Sequence, residues 1–228
     1  MTSPSRIDSV HAALHQYEGQ LETHPIGDLC ARAALPREIL ESFARAQLVD
    51  NTLWVPMLAL AKDKLSAPLL REAVRRNIMD EVGADGISHV TLCKQFVESV
   101  GLPTHYEDYR EFSPASVYPV QVMMGLTGRC DDLLMAGWLI SQENLVPAFF
   151  RMFRPAFAAI EGADTGYLVE HEEVDSAEHA QWFLEAVAAM LNSDEDLDRV
   201  LTGIDMGGRA TLAVPDYLYS QAVSMGVH

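Results

Sequence analysis

The segment Val169–Gln181 carries side chains that could bind a metal at regular helical spacing. His171, Asp175 and His179 follow one another at four-residue steps, and at about 100° per residue such positions share one face of a helix. Glu178, next to His179, lies on that face too. Imidazole nitrogens and carboxylate oxygens together suit iron or manganese. An acidic, solvated helix face would have the same composition, so this segment alone does not decide between the two interpretations.

A second stripe of the same form favours the metal. Glu81, Asp85 and His89 are again four residues apart. Glu143 stands alone in an apolar stretch, and a buried carboxylate is costly unless it is paired or bound to a cation. The candidate ligands are Glu81, His89, Glu143, His171, Asp175 and His179, with Asp85 as a further candidate. This sulfur-free set suits non-haem iron and O₂ chemistry, and its carboxylates could bridge two metal ions, which favours a diiron centre.

The elements that would position these residues are helices, because apolar residues recur at helical spacing and no segment alternates like a strand. The predicted helices are Ser5–Leu21, Pro36–Leu65, Ser66–Gly101, Val117–Gly128, Asp131–Phe157, Tyr167–Asn192 and Leu197–Val223. Thr23–Pro36 is predicted to be a connection. Gly83 and Gly86 lie inside the third helix, where each costs about 1 kcal/mol relative to Ala and marks a kink or a close contact. The sequence therefore predicts an all-α, single-domain bundle of about seven helices over residues 1–228.

The composition indicates a globular protein. Of 228 residues, 49% are hydrophobic and 21% are charged. A formal net charge of −17 argues against nucleic acid and anionic membranes as partners. Cys30, Cys93 and Cys130 form no CxxC pair, which indicates reduced thiols. The first residues do not form a signal peptide, and the longest apolar run, Leu53–Ala61, is too short to span a membrane, so we expect a cytoplasmic protein.

The arrangement of the candidate ligands resembles one particular class of diiron enzyme. Ferritin-like diiron proteins carry a pair of Glu-x-x-His motifs, and this sequence has none. The chain resembles instead the haem-oxygenase-like diiron oxidases and oxygenases, over its whole predicted helical order. In their pattern a Glu and a His share one helix, as Glu81 and His89 do, and a lone Glu follows, as Glu143 does. A His-x₃-Asp motif then appears, here His171 and Asp175, and a further His completes the set.

The last ligand departs from that pattern. The family has its final His three residues after the Asp, whereas His179 lies four residues after Asp175. Glu178 occupies the third position, and either residue could be the ligand. Some members add a carboxylate from an earlier helix, and Asp50 is the best match for it.

The resemblance implies a haem-oxygenase-like helical fold, shared with thiaminase-like proteins and pyrroloquinoline-quinone synthase. It also implies two iron ions that activate O₂. The expected activity is that of a non-haem diiron oxidoreductase acting on a small amine or amino-acid-derived metabolite in specialised-metabolite biosynthesis. The expected reaction is N-oxygenation or oxidative C–C cleavage. The expected partners are the small-molecule substrate, an external electron donor and a second copy of the chain in a homodimer.

Two alternatives remain open at this point. A thiaminase-like, metal-free hydrolase of the same fold would need a cysteine nucleophile, and Cys93, four residues from His89, is the candidate. The other alternative is a non-catalytic metal-binding protein. Candidate substrate-binding residues are Trp54, Arg129 and Arg151, where an arginine would pair with a substrate carboxylate.

Overall fold

The computed structural model describes residues 5–84, 86–105, 114–173 and 175–228, without the side chains of 114–120 and 173–178. All regular secondary structure in these ranges is helical. The helices are α1 (Arg6–Glu22), α2 (Pro25–Ala31), α3 (Arg37–Lys64), α4 (Pro68–Glu81), α5 (His89–Ser99), α6 (Pro114–Arg129), α7 (Asp132–Ala158), α8 (Gly166–Glu173), α9 (Asp175–Met190) and α10 (Asp194–Ser224). The predicted all-α class is confirmed for the described part of the chain, whereas the predicted number of helices is too low.

One additional helix is α2, inside the segment Thr23–Pro36 that was predicted to be a connection. Pro25 occupies its first turn, where the missing N–H costs nothing, so the proline starts the helix here. His24 caps the helix because its Nδ1 accepts a hydrogen bond of 3.2 Å from the Ile26 N–H. The helix buries Ile26, Leu29 and Cys30 in the core.

The prediction of one helix over Ser66–Gly101 is wrong, because the chain turns between α4 and α5. Gly83 has a φ of +72°, in the left-handed region that favours glycine. Its N–H donates to the Asp80 carbonyl at 2.7 Å, and the Ala84 N–H donates to the Met79 carbonyl at 3.0 Å, which closes the end of α4. Ser88 then starts α5 by accepting a hydrogen bond from the Thr91 N–H.

The predicted helix Tyr167–Asn192 corresponds to two helices of the described residues. It consists of α8, which ends at Glu173, and α9, which begins at Asp175. Residue 174, between them, lies outside the described residues. The turn at Gly83, the helix α2 and the separate description of α8 and α9 on either side of residue 174 account for the difference between the seven predicted helices and the ten of the described ranges.

Helix α7 forms the centre of the fold and packs against α1, α2, α6, α8, α9 and α10. It crosses α10 closely at Gly137 and Gly203. A Cβ on Gly137 would lie 2.1 Å from the Val200 carbonyl oxygen, and one on Gly203 would lie 2.2 Å from the Leu134 carbonyl oxygen. The two glycines therefore allow this backbone contact. Glu143, further along α7, contacts Asn77 on α4 and His179 on α9.

No helix in the described ranges combines the length and the apolar composition that crossing a membrane requires.

Candidate metal centre

Five of the six predicted ligands have described side chains, and the structure buries all five. Each residue comes from a different helix, and each is only 2% to 8% exposed. The residues are Glu81 at the end of α4, His89 at the start of α5, Glu143 in α7, His171 in α8 and His179 in α9. Burying so many ionisable groups is unfavourable unless they pair or bind a cation.

The turn at Gly83 brings Glu81 and His89 together. His89 Nδ1 lies 3.0 Å from Oε2 of Glu81. The sequence predicted that these residues share one helical face, and that interpretation is wrong. They meet because α4 ends at Glu81 and the chain reverses into α5, whose first residue is His89.

Glu143 and His179 form a second carboxylate–imidazole pair. His179 Nδ1 lies 3.2 Å from Oε2 of Glu143. Asn77, on α4 and completely buried, places its amide nitrogen 3.1 Å from Oε1 of Glu143 and 3.1 Å from His179 Nδ1. Because Asn77 lies one helical turn before Glu81, one face of α4 contributes to both pairs.

His171 is held in one orientation by its own helix. Its Nδ1 lies 2.8 Å from the Tyr167 carbonyl oxygen, which can only accept, so Nδ1 carries the proton and Nε2 carries the lone pair. Its ring centroid lies 4.8 Å from that of His89. Burial, and then the neighbouring His89, lowers the pKa of His171 to about 3. The neutral imidazole with a free lone pair on Nε2 is the form that binds metals.

Asp80 also belongs to this cluster, although the helical-spacing argument did not select it. Its Oδ2 lies 3.2 Å from Nε2 of His179 and 3.7 Å from Nε2 of His89. The two imidazoles therefore direct their Nε2 atoms at a common acceptor. Asp80 lies three residues after Asn77 and Glu81 lies four residues after it, so all three residues share one face of α4.

The residues fit iron by the chemistry of their donors. Imidazole nitrogens and carboxylate oxygens without sulfur are the ligands of non-haem iron enzymes. In the described side chains, no group of three or more His, Cys, Asp or Glu residues is arranged to hold a metal ion. The carboxylates and imidazoles approach one another instead: His179 is hydrogen-bonded to Glu143, and His89 lies within ion-pair distance of Glu81. The side chains of Asp175 and Glu178, and all of Asp85, lie outside the described residues, so these three predictions stay predictions.

A cavity of about 80 Å³ adjoins the paired residues. Its lining includes the predicted ligands Glu81, Glu143, His171 and His179. The other lining residues come from α3, α7 and α8; they are Gln47, Asp50, Asn51, Trp54, Gln142, Val146, Phe150 and Tyr167. Burial, followed by the charge of Glu81, raises the pKa of Asp50 to about 7.

The predicted substrate-binding residues divide between the cavity and the surface. Trp54 lines the cavity. Arg129 is exposed at the end of α6, and Arg151 forms ion pairs with Glu22 at 3.8 Å and Glu172 at 3.5 Å. Neither arginine is among the described residues that line the cavity, so the prediction that they bind the substrate there is not supported by their positions.

Cys93 does not have the surroundings of a nucleophile. It is completely buried, and burial raises the pKa of its thiol well above the usual value. The reactive form of cysteine is the thiolate, which this environment disfavours. Cys93 is also not among the described residues that line the cavity, which disfavours the metal-free hydrolase.

Comparison with known proteins found similarity in sequence and in fold. Residues 37–211 match the family described as iron-containing redox enzymes. A search of curated proteins found no match.

Solved structures of low sequence identity share the fold. A CADD-like protein of unknown function from Nostoc punctiforme is 18% identical, with a TM-score of 0.73 over 94% of this chain and 98% of that one. A domain of unknown function with a haem-oxygenase-like fold, from Shewanella denitrificans, is 12% identical, with a TM-score of 0.75 over 96% and 94%. A TenA homologue from Pseudomonas syringae is 11% identical, with a TM-score of 0.71 over 95% and 93%. The predicted haem-oxygenase-like fold is therefore confirmed.

Proposed function

The chain belongs to the family of iron-containing redox enzymes, and we propose that it is a non-haem diiron oxidase or oxygenase. The proposed substrate is a small amine or amino-acid-derived metabolite of a specialised biosynthetic pathway. The proposed reaction is N-oxygenation or oxidative C–C cleavage. A non-catalytic metal-binding role would use the same ligands, but it would not explain a cavity beside them.

One observation carries this proposal: a single cavity is lined by members of two buried carboxylate–imidazole pairs and by a third imidazole. The pairs are Glu81 with His89 and Glu143 with His179, at 3.0 Å and 3.2 Å. Each pair has the same composition, and this repetition supports two metal positions rather than one. His171, with its Nε2 lone pair, adds a nitrogen donor, and Asp175 is the proposed further carboxylate.

Two iron ions held by these residues would supply the binding and reduction of O₂. The protein's own contribution is to orient the ligands. The Tyr167 carbonyl fixes the tautomer of His171 through a hydrogen bond of 2.8 Å. Asn77 holds Oε1 of Glu143 through its amide group at 3.1 Å. Such outer partners typically change metal affinity or activity about 10- to 100-fold when they are removed.

The other walls of the cavity would hold the substrate beside these ligands. Trp54, Val146 and Phe150 present apolar surface, which excludes water and favours a partly apolar molecule. The small volume of the cavity, about 80 Å³, favours a small reacting group. Reduction of O₂ requires more electrons than the transfer of one oxygen atom removes from a substrate, so the proposal includes an external electron donor. We further propose that the protein works as a homodimer.

The proposal is tested by measuring O₂ uptake. Protein is loaded with Fe²⁺ without oxygen, unbound iron is removed by gel filtration, and uptake is followed after mixing with O₂. We expect uptake in the wild type and in the exposed control Glu161→Gln, and a loss of at least about tenfold per chain in Glu143→Gln. Equal uptake by Glu143→Gln and the wild type would refute the proposed function.

A further inference from the structure

Asp50 presents a carboxylate to the cavity without an internal partner. It lines the cavity from α3, and it forms no hydrogen bond or ion pair with any other described residue. The nearby hydroxyl of Tyr167 is different, because it accepts from the Asn51 amide at 2.5 Å and donates to Oε1 of Gln47 at 3.1 Å. The side chains of Gln47, Asn51 and Tyr167 in the cavity lining are therefore hydrogen-bonded to one another, whereas the Asp50 carboxylate has no such bond to a described residue. A half-buried carboxylate in this state favours a ligand that brings a donor or a positive charge.

The sign of the charge around the cavity points the same way. The described lining residues include the carboxylates of Asp50, Glu81 and Glu143 and contain neither lysine nor arginine. Arg151 and Arg154, on α7 like Glu143, pair with Glu172 instead, and Arg154 Nε lies 2.6 Å from its Oε2. A substrate carboxylate placed beside Asp50 would therefore meet a like charge and no described cation.

Aromatic side chains complete the surroundings of Asp50. Trp54 lies one helical turn further along α3 and lines the same cavity, as does Phe150 from α7. The face of an indole ring attracts cations, and this attraction strengthens where water is excluded. A carboxylate next to an aromatic wall is a combination that recognises an organic ammonium group.

We propose that Asp50 and Trp54 form the subsite for the ammonium group of a primary amine substrate, with Asp50 as its counter-ion. This inference rests on the proposed function and narrows its substrate class. It selects an amine whose end nearest Asp50 carries no carboxylate, and it assigns the two residues to the substrate instead of the metal.

Three probes of equal length test the subsite: butylammonium, 1-butanol and butyrate. Each is titrated by calorimetry into anaerobic Fe²⁺-loaded protein and into metal-free protein. We expect butylammonium to bind at least about tenfold more tightly than either other probe, as a hydrogen-bonded charge pair provides. Equal or tighter binding of butanol or butyrate would overturn the inference.

Two variants and a control test whether Asp50 and Trp54 form the subsite. Asp50→Asn should lower the affinity for butylammonium at least about tenfold and leave that for 1-butanol within about twofold. Trp54→Leu should lower the affinity for butylammonium about threefold or more, and it keeps the test possible if Asp50→Asn does not fold. Asp63→Asn, exposed on the same helix, should bind all probes like the wild type.

Bound iron is measured in the same samples, which separates the two proposals. Loss of iron from Asp50→Asn would show that Asp50 is a metal ligand and would overturn the subsite. If no iron binds to the wild type, the diiron proposal fails. An Asp50-dependent preference for butylammonium in metal-free protein would then still support the amine subsite.

Discussion

The amide nitrogen of Asn77 lies 3.1 Å from Oε1 of Glu143, which joins α4 to α7 inside the core. Asn77 is completely buried, and its amide also approaches Nδ1 of His179 on α9. If packing were the only requirement, an apolar side chain would fill this space without the desolvation cost of a buried amide. The asparagine is therefore best explained as a residue that positions the two proposed ligands.

Replacing Asn77 by leucine should weaken iron binding about 10- to 100-fold, because Glu143 and His179 lose the group that orients them. The measurement is an anaerobic Fe²⁺ titration with a competing chelator. Asn144→Leu, one residue after Glu143 and lining a different surface groove, is the control and should bind iron like the wild type. Unchanged affinity in Asn77→Leu would show that Asn77 does not position the ligands.

The turn between Glu81 and His89 should depend on Gly83. A Cβ there would lie 2.5 Å from the Ser88 backbone nitrogen, and the φ of +72° disfavours any side chain. We expect Gly83→Ala to lower the free energy of unfolding by about 1–3 kcal/mol in urea denaturation. Gly86→Ala is the matched control, since its Cβ would meet nothing within 4 Å. Similar stability of the two variants would contradict this account of the turn.

The crossing of α7 and α10 should be equally sensitive to a methyl group. A Cβ on Gly203 would lie 2.2 Å from the Leu134 carbonyl oxygen and 2.9 Å from the Trp138 nitrogen. Gly203→Ala should therefore destabilise the protein by about 1–3 kcal/mol. Gly125→Ala, on α6 with open space around it, should stabilise its helix by up to about 1 kcal/mol. Thermal denaturation of both variants checks these opposite signs, and a stabilising Gly203→Ala would contradict the described contact.

The stability of the metal-free protein should depend on pH through Asp50. Its pKa is raised to about 7 in the fold by burial and by Glu81, whereas an unfolded aspartate has a pKa of about 3.9. The stabilising contribution of Asp50 to the free energy of unfolding is therefore fully present below about pH 4 and is lost as the pH rises through 7. Asp50→Asn should raise the free energy of unfolding at pH 8 by at most about 4 kcal/mol and change it little at pH 4. Urea denaturation of this variant and of Asp63→Asn at both pH values is the test, and a pH-independent difference would refute it.

The class of the fold and the members of the candidate site could be predicted from the sequence because both depend on local patterns. Helical periodicity and capping residues can be identified from neighbouring positions in the sequence. Glu143 could be identified because its neighbours in the sequence are apolar. The two pairs could not be predicted as pairs. Glu81 and His89 meet across a turn that one left-handed glycine creates, and the same spacing would also fit an unbroken helix.

Residues that act through tertiary contacts were missed for the same reason. Asn77 resembles any polar residue of a helix until α7 and α9 pack on it. The spacing from Glu81 contained a usable signal, since Asn77 lies four residues earlier on the same face. Asp80 carried a similar signal, because it lies three residues after Asn77 on the same helix. Arg129 and Arg151 were selected for charge and nearness in sequence, which do not determine whether a side chain faces the cavity.

The central claim is that the buried pairs hold two iron ions, and the ratio of bound iron to protein tests it most directly. Protein is loaded with Fe²⁺ without oxygen, freed of excess metal and analysed for iron and protein content. We expect about two iron ions per chain in the wild type and in Glu161→Gln, and less than about one in Glu143→Gln and in His171→Gln. Wild-type protein without stoichiometric iron, or variants that retain both ions, would contradict the claim.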